Sequence, residues 1–174
     1  MNRAVFFDRD GIINKPVIKE NRPYPPASLA EFAFNESIPE VCAALKDTGF
    51  FLFIFTNQPD VARGTRQKSD IENIHGYILK ALPIDKIYTC YHDNSDNCSC
   101  RKPLPGMIYS ARDEFNIDLS QSFAVGDRWR DVDAGKAAGV KTIFFDYGYA
   151  EELNAKPDYT IKSIAEILKV VQYQ

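Results

Sequence analysis

The sequence predicts an α/β fold in which a central parallel sheet carries helices on both faces. Short apolar runs alternate with helical patterns along the chain, an arrangement typical of β-α-β units. The run 50–55 is continuously apolar, as expected for a strand buried on both faces of a parallel sheet. Polar side chains follow several of these runs, and open α/β sheets bind ligands at the carboxyl ends of their strands. We therefore expect one functional site at that edge of the sheet.

Length, composition and charge place the chain among ordinary globular proteins. Its 174 residues suit a single domain over 1–174 with a sizeable core. A formal net charge of −3 does not indicate nucleic-acid binding. No apolar run is long enough to cross a membrane, and the first predicted strand starts too early to leave room for a signal peptide. We therefore predict a cytoplasmic, monomeric protein that binds neither nucleic acid nor membrane.

The first predicted strand, 4–7, leads directly into two aspartates separated by one residue. Asp8, Arg9 and Asp10 are followed by Gly11, which marks the turn that ends the strand. Two carboxylates at a strand end can hold a metal and take part in chemistry. The alternative is a plain surface turn, because Asp and Gly are common turn residues.

The rest of the chain continues the alternation of strands and helices. The proline-rich segment 15–28 is predicted to be an extended loop beside the site, and a helix should begin at Ile38, with Ser37 and Glu40 forming a capping box. Gly49 should end that helix. Further elements are expected in this order: a strand at 50–55, a helix at 67–82, a strand at 84–91, a helix at 105–115, a strand at 123–125, a helix around 132–138, a strand at 141–146, a loop at 148–158, a short strand near Ile161, and a helix carrying 164–171.

Residues suited to bind metal and phosphate follow separate strands. They are Asp8 and Asp10, Thr56 and Asn57, and Asp127 and Asp131, with Lys102 on a loop before a helix. Right-handed crossovers would bring these positions to one edge of the sheet. Three or more clustered carboxylates repel one another and need a cation, and short oxygen ligands favour Mg²⁺. Lysine and a threonine hydroxyl suit phosphate oxygens, whereas no Gly-rich loop supports a nucleoside-triphosphatase.

Three of the four cysteines lie close to a histidine in one short polar stretch. Cys90, His92, Cys98 and Cys100 supply the ligands of a closed structural Zn²⁺ site. The alternative is that reduced cysteines simply share a turn, but three cysteines and a histidine so close together favour a metal. Four protein ligands leave no open position, so the zinc should be structural. Cys42 stands apart and is predicted to be a small buried side chain.

Taken in order, these residues resemble the motifs of the haloacid dehalogenase (HAD) superfamily. The matches span essentially the whole chain: Asp8-x-Asp10 resembles motif I, Thr56 motif II, Lys102 motif III, and Gly126-Asp127-x-x-x-Asp131 motif IV. The runs Asp-Arg-Asp-Gly, Thr-Asn-Gln, Ala-Arg-Gly, Cys-x-His…Cys-x-Cys and Arg-Lys-Pro-x-Pro-Gly-Met resemble subfamily IIIA, the branch that holds the heptose-bisphosphate 7-phosphatases and the histidinol-phosphate phosphatases. The resemblance implies a Rossmann-like HAD fold. No inserted domain separates the motifs, so we expect a capless member.

The resemblance also implies roles for the site residues. Asp8 would be the nucleophile that forms an aspartyl-phosphate, and Asp10 the general acid and then the general base. Asp8, the backbone carbonyl of Asp10, and Asp127 would hold Mg²⁺. The remaining roles are phosphoryl binding by Thr56, Asn57 and Lys102, orientation of Lys102 or the metal shell by Asp131, and substrate contact by Arg63, Arg101, Lys102 and Arg128, of which Arg63 could equally be a solvated loop residue.

The activity implied is removal of the 7-phosphate from D-glycero-D-manno-heptose 1,7-bisphosphate, in the building of nucleotide-activated heptose. Three features depart from the family pattern near the expected substrate site: the run 59–61, the long proline-rich segment 21–26 and the short loop 93–97. They leave histidinol phosphate or another sugar phosphate as alternative substrates. A phospho-acceptor signalling domain is an alternative of another class, disfavoured because Asp10 sits beside the presumed acceptor and the cysteine cluster has no place in it. A zinc-stabilised binding protein with an inactive site is disfavoured because every catalytic residue type is present.

Overall fold

A computed structural model describes residues 1–19, 22–148 and 151–172, and a six-stranded parallel sheet lies at its centre. The strands in chain order are β1 (Ala4–Phe7), β2 (Val17–Lys19), β3 (Arg22–Tyr24), β4 (Phe51–Asn57), β5 (Lys86–Cys90), β6 (Phe123–Gly126), β7 (Lys141–Phe145) and β8 (Tyr159–Ile161). The central sheet has the order β5-β4-β1-β6-β7-β8, and every neighbouring pair is parallel. The predicted parallel sheet is thus confirmed.

Helices cover both faces of this sheet. They are α1 (Ile38–Asp47), α2 (Lys68–Ala81), α3 (Gly106–Phe115), α4 (Trp129–Ala138) and α5 (Glu166–Gln172). One hydrophobic core contains side chains from α1, α2 and α5, and a second, on the opposite face, contains side chains from α3 and α4. Within the described residues, no helix has the length and apolarity needed to cross a membrane.

Strand β1 is the centre of the sheet, because β4 pairs with one of its edges and β6 with the other. Val5 and Phe7 belong to one core, and Ala4 and Phe6 to the other, as the two-residue period of a strand requires. All four side chains are fully buried, and burying each phenylalanine contributes roughly 2–3 kcal/mol. This burial on both faces fixes the carboxyl end of β1, where Asp8 begins.

The proline-rich segment forms a hairpin, so the predicted extended loop is wrong at 17–19 and 22–24. Strands β2 and β3 pair antiparallel, with Val17 opposite Tyr24 and Ile18 opposite Pro23. A two-stranded ribbon consists only of edge strands, where a proline without an N–H is tolerated. Residues 20 and 21 of the predicted loop lie outside the described residues, as do residues 149 and 150 of the loop predicted at 148–158.

Helix α1 begins where predicted, but the predicted capping box is wrong. Ser37 has a left-handed backbone (φ 65°), and its side chain makes no capping hydrogen bond. The N–H of Ile38 donates instead to the backbone carbonyl of Asn35 (3.3 Å). Pro39, in the first turn, has no N–H that needs a partner. A tight turn at Asn35 therefore replaces the serine cap.

Candidate active site

The carboxyl edge of the sheet holds one cleft of about 390 Å³ that gathers the predicted site residues. β1 places Asp8 and Asp10 there, the end of β4 places Thr56 and Asn57, and the chain after β6 places Asp127 and Asp131. Lys102 reaches the cleft from the loop before α3. The arginines predicted to contact substrate also line it, namely Arg63, Arg101 and Arg128. The edge-of-sheet location is therefore as the sequence predicted.

Lys102 bridges two buried carboxylates at the floor of the cleft. Its Nζ donates to Asp8 Oδ1 (2.7 Å) and to Asp131 Oδ1 (2.6 Å). Asp8 Oδ1 also accepts a hydrogen bond from the backbone N–H of Arg9 (2.8 Å). Burial opposes the charge on Lys102, but Asp131 and Asp8 outweigh it and raise the pKa of the ammonium group. Lys102 therefore stays cationic, and its contact with Asp131 matches one of the two orienting roles, toward Lys102 or the metal shell, that the resemblance implies for Asp131.

The carboxyl groups of Asp8 and Asp127 both have raised pKa values, which a bound cation would lower. Burial raises the pKa of Asp8 to about 7 despite the opposing charge of Lys102, and Asp131 adds to the rise. Burial, followed by the charges of Asp8 and Asp131, raises the pKa of Asp127 well above its usual value. Both effects come from crowding anionic groups away from water.

The donor set around Asp127 fits a hard divalent cation. Carboxylate oxygens of Asp8, Asp127 and Asp131 lie within 4.8 Å of one another. Asp127 Oδ1 is buried and receives no hydrogen bond from any described residue. A buried acceptor without a partner is costly, and a metal bond would satisfy it while neutralising the cluster. Mg²⁺ prefers short oxygen ligands of this kind.

Gly11 makes room for that carboxyl group. Its φ is +102°, a conformation that favours glycine, and a Cβ built at this position would lie 2.5–2.7 Å from the carboxyl atoms of Asp127. The turn after β1 and the Asp127 carboxylate thus approach each other so closely that only glycine fits between them.

Asp10 is held as a carboxylate by three surrounding side chains. Arg9 forms an ion pair with it (2.8 Å), Gln58 Nε2 donates to Oδ2 (2.8 Å), and Asn14 Nδ2 donates to Oδ1 (3.2 Å). Burial works against the charged form, but these contacts outweigh it and lower the pKa of Asp10. The pKa of Asp8 is thus raised and that of Asp10 lowered, so the two aspartates protonate differently although only Arg9 separates them.

Gln58 was not among the predicted site residues, although it directly follows the predicted pair Thr56 and Asn57. Its Nε2 is bonded both to Asp10 Oδ2 and to Thr56 Oγ1 (2.9 Å). Because Thr56 Oγ1 accepts this bond, its own hydroxyl hydrogen stays available as a donor toward the cleft. The signal in the sequence was the position of Gln58, two residues after Thr56 at the end of a strand.

Asn57 contacts the backbone of Lys102 through both ends of its amide. Its Oδ1 accepts from the Lys102 N–H (3.0 Å), and its Nδ2 donates to the Lys102 carbonyl (3.0 Å). This pair of bonds joins β4 to the loop that carries the lysine. The phosphate contact predicted for Asn57 stays a prediction; the contact observed is one that positions Lys102.

Four arginines line the rim of the cleft, and they differ in how their charge is compensated. Arg63 forms a bidentate pair with Asp93 (2.7 and 2.8 Å). Arg101 donates to Asn94 Oδ1 (2.7 Å), and Arg128 lies 3.4 Å from Glu151. These contacts tie the three predicted substrate arginines to neighbouring loops.

Arg130 is the fourth rim arginine, and the sequence analysis did not single it out. Its guanidinium stacks on the Trp129 ring (4.8 Å to the centroid), and no ion pair joins it to a carboxylate among residues 1–19, 22–148 and 151–172. Burial, together with the nearby charges of Arg101 and Arg128, lowers its pKa. The rim therefore carries a concentration of positive charge opposite the acidic floor.

The predicted zinc ligands meet at one point beside the cleft. The three cysteine Sγ atoms are 3.2–3.6 Å apart, and His92 Nδ1 lies 3.6 Å from Cys90 Sγ and 3.4 Å from Cys100 Sγ. Disulfide sulfurs would be about 2 Å apart. Tetrahedral zinc with Zn–S bonds of about 2.3 Å separates its sulfurs by about 3.8 Å, close to the spacing found. The cluster therefore fits a tetrahedral metal and contains no disulfide.

The chain is similar to several known proteins along most of its length. A profile of HAD-hydrolase-like proteins matches residues 99–167. A D-glycero-alpha-D-manno-heptose-1,7-bisphosphate 7-phosphatase of Campylobacter jejuni is 38% identical over 81% of this chain and 80% of that protein. The D-glycero-beta-D-manno-heptose-1,7-bisphosphate 7-phosphatase of Yersinia pestis is 32% identical over 97% of this chain and 95% of that protein.

A solved structure shares the whole fold. The D,D-heptose 1,7-bisphosphate phosphatase of B. bronchiseptica, crystallised with magnesium and phosphate, superposes with a TM-score of 0.85 at 26% identity and covers 99% of both chains. The parallel sheet, the paired aspartates after its central strand and the buried lysine define a phosphatase of the HAD type. The chain belongs to the family of heptose-1,7-bisphosphate 7-phosphatases within the HAD-like hydrolases.

Proposed function

We propose that this protein is a Mg²⁺-dependent phosphomonoester hydrolase that removes the 7-phosphate of D-glycero-D-manno-heptose 1,7-bisphosphate, the activity named for its relatives. The observation that carries the proposal is the pairing at the end of β1. Asp8 lies beside a buried lysine, and Asp10 lies two residues on, with its carboxylate fixed toward the same cleft. That is the arrangement needed for a nucleophile and a proton carrier.

Asp8, Asp127 and the backbone carbonyl of Asp10 would hold the magnesium ion. When bound, Mg²⁺ supplies the positive charge that lets an anionic nucleophile approach an anionic phosphate. The partnerless Oδ1 of Asp127 and the crowding of the carboxylates support this assignment. Asp131 is occupied by Lys102 and would support the site indirectly.

In the first step, Asp8 attacks phosphorus, and the bond between phosphorus and the sugar oxygen breaks. Asp10 gives its proton to the departing oxygen, and the electron pair of the broken bond stays on that oxygen. Asp10 is ionised in the resting site, but an arriving phosphate places negative charge beside it, which favours its protonated form. Lys102 and the Thr56 hydroxyl stabilise the charge on the transferring group.

In the second step, water attacks the phosphorus of the aspartyl-phosphate. Asp10, now a carboxylate, takes the proton from that water, and the bond to Asp8 breaks. Inorganic phosphate leaves, Asp8 is again a free carboxylate, and Asp10 is protonated as at the start of the first step; it returns its proton to solvent once the phosphate charge has gone. Splitting the reaction into two displacements gives each one a leaving group that the site can stabilise.

The rim of the cleft supports a substrate with a second phosphate. Arg101, Arg128 and Arg130 lie beyond the acidic floor, so they can meet an anionic group at the far end of a sugar. Arginine binds phosphate oxygens through its planar fork of donors. A bisphosphate matches both regions of the cleft, whereas histidinol phosphate would bring an organic cation toward the arginines.

We also propose that Cys90, His92, Cys98 and Cys100 bind a structural Zn²⁺ ion. The ligand set is closed, and the loop it would fix runs directly into Arg101 and Lys102. Reduced zinc thiolates suit the cytoplasm, which supports the predicted location. The one-domain organisation and the monomeric state stay predictions. Measuring the metal content of the purified protein tests the zinc, and a protein that is folded and active without it would refute this assignment.

Steady-state kinetics with Mg²⁺ varied test the main proposal. Both anomers of heptose 1,7-bisphosphate should be compared with histidinol phosphate, because the relatives include phosphatases of both the alpha and the beta form. We expect Mg²⁺-dependent turnover of at least one anomer and far weaker turnover of histidinol phosphate. Brisk hydrolysis of another ester without turnover of either anomer would refute the substrate. Stable phosphorylation of Asp8 without turnover would instead support a signalling domain.

A further inference from the structure

We propose that Arg9 and His75 act together as positioning residues that hold the Asp10 carboxylate in the orientation needed for proton transfer. This inference rests on the proposed phosphatase function, in which Asp10 carries the proton. Neither residue had a role in the sequence analysis: Arg9 lies between the two catalytic aspartates, and His75 lies in α2, far away in the sequence.

The Arg9 side chain is fully buried, which is unusual for arginine. Its guanidinium grips Asp10 through two nitrogens: Nε donates to Oδ1 (3.2 Å), and Nη2 donates to both Oδ1 (3.0 Å) and Oδ2 (2.8 Å). A planar donor that engages both carboxylate oxygens fixes the plane of the carboxylate as well as its position. Arg9 thus determines where the oxygens of Asp10 point.

His75 completes the coordination of this guanidinium. Its Nε2 lies 3.1 Å from Arg9 Nη1, on the side of the guanidinium away from Asp10. Every polar group of arginine is a donor, so His75 Nε2 must be the acceptor, and the ring must be neutral with its proton on Nδ1. Burial, aided by the charge of Arg9, lowers the pKa of His75 to about 3, in agreement with a neutral ring.

Asp10 has to stay exposed to substrate while its direction is fixed. Its side chain keeps 22% of its surface accessible at the cleft, while the Arg9 side chain behind it has none. Gln58 and Asn14 each contact one oxygen, but neither contacts both. Removing His75 would leave a buried Arg9 N–H without a partner, and the guanidinium would turn to find one. The carboxylate would turn with it, and proton transfer depends strongly on such geometry.

Two esters with different leaving groups separate this role from general support of the fold. A sugar or alkyl phosphate needs a proton on its leaving oxygen, whereas p-nitrophenyl phosphate releases a stable phenolate that needs none. The parameter to compare is kcat/KM, because it covers the steps up to release of the leaving group. For His75→Leu, we expect kcat/KM for the sugar phosphate to fall about tenfold, with a change under about twofold for p-nitrophenyl phosphate.

Other variants set the scale of that effect. Asp10→Asn should give the same selectivity with a larger loss. His75→Gln should recover most of the sugar-phosphate activity, since the glutamine carbonyl can accept from Arg9. Arg9→Lys keeps the positive charge but loses the planar guanidinium that contacts both oxygens of Asp10, so it should show the same selective loss. This variant tests the proposal even if His75→Leu does not fold. Ile74→Val is the matched control, a small change in the buried face of α2 that should leave the ratio of the two kcat/KM values unchanged.

Equal losses on the two esters would overturn the proposal and assign His75 a structural role alone. Unchanged kinetics in both His75→Leu and Arg9→Lys would overturn it as well. These results are distinct from failure of the proposed function, in which the unmodified protein would hydrolyse neither ester.

Discussion

Replacing Asn57 with alanine tests whether this residue positions Lys102. The side chain makes two hydrogen bonds of 3.0 Å to the Lys102 backbone, one as acceptor and one as donor. Each such bond contributes about 1 kcal/mol, so Asn57→Ala should lower the free energy of unfolding by about 2 kcal/mol. The loop would also lose its link to β4, and a displacement of Lys102 by about 1 Å would lower kcat on the order of 100-fold.

Urea unfolding, together with kinetics and inhibition by inorganic phosphate, distinguishes the two roles of Asn57. A residue that positions Lys102 affects stability and kcat together. A residue that only binds the phosphoryl group would leave stability unchanged and weaken the binding of phosphate. Asn154→Ala is the control, because the Asn154 amide is exposed and, within the part of the chain that the structure describes, its side chain makes one hydrogen bond, to Asp133. It should shift stability by less than about 0.5 kcal/mol.

A positioning role for Asn57 is excluded if Asn57→Ala keeps the stability of the unmodified protein and shows only weaker phosphate binding. The phosphate contact predicted from the sequence would then be the main role of Asn57. Asn57→Asp gives an intermediate test, since it keeps the acceptor for the Lys102 N–H but loses the donor to the Lys102 carbonyl.

Three further changes probe other parts of the structure. Gly126→Ala should lower kcat about 100-fold, because an added Cβ would overlap the Asp131 carboxyl group that contacts Lys102. Gly76→Ala is the control and should keep full activity, because the space around Gly76 is open. Equal kinetics in the two variants would contradict this prediction. Cys98→Ser should abolish zinc binding, as metal analysis would show, and lower Tm and kcat together, and a variant that keeps its metal would exclude Cys98 as a ligand. Burial opposes ionisation of Asp158, but hydrogen bonds from Lys136 and Thr142 outweigh burial and lower the pKa of its carboxyl group. The carboxylate therefore contributes stability above the ordinary carboxyl pKa, and this contribution is lost as the pH falls through the lower pKa of the folded state. Asp158→Asn should therefore reduce stability by under about 1 kcal/mol at neutral pH, with a difference from the unmodified protein that shrinks in acid; a difference that grows in acid would reverse the assigned sign.

The sheet could be predicted because its strands carry strong, redundant signals. The run from Phe50 to Phe55 is apolar throughout, and the structure pairs it on both sides, with β1 and β5. The aspartates after β1 and the residues after β4 and β6 fall at strand ends, so their meeting follows from the parallel order alone. Strands β2 and β3 have three residues each and lie in a proline-rich segment with Pro23 in the ribbon itself, so they were missed, whereas β8, of the same length, was predicted near Ile161.

The supporting contacts of the site could not be predicted, because they depend on side-chain direction. Arg9 alternates with Asp8 and Asp10 along the chain, and nothing in the sequence shows that its guanidinium turns back onto Asp10 and meets α2. Ser37 likewise has the residue type and spacing of a cap, but its backbone is left-handed and its side chain makes no capping hydrogen bond. Patterns of residue types predict which segments meet, whereas hydrogen-bond partners depend on packing that only the folded chain determines.

The site combines a desolvated floor with a solvated rim, and this division determines how each part tolerates change. At the floor, Lys102 and its two carboxylate partners are each about 90% or more buried, so removing one partner strands a charge at a cost of about 3–5 kcal/mol. At the rim, the Arg63 side chain is 45% exposed in its pair with Asp93, and such pairs contribute at most about 1 kcal/mol. The chemistry we propose uses the residues of the floor, where losing one charged partner is costly. The rim can change its charges and loops at small cost in stability, which allows substrate preference to diverge while the reaction stays the same.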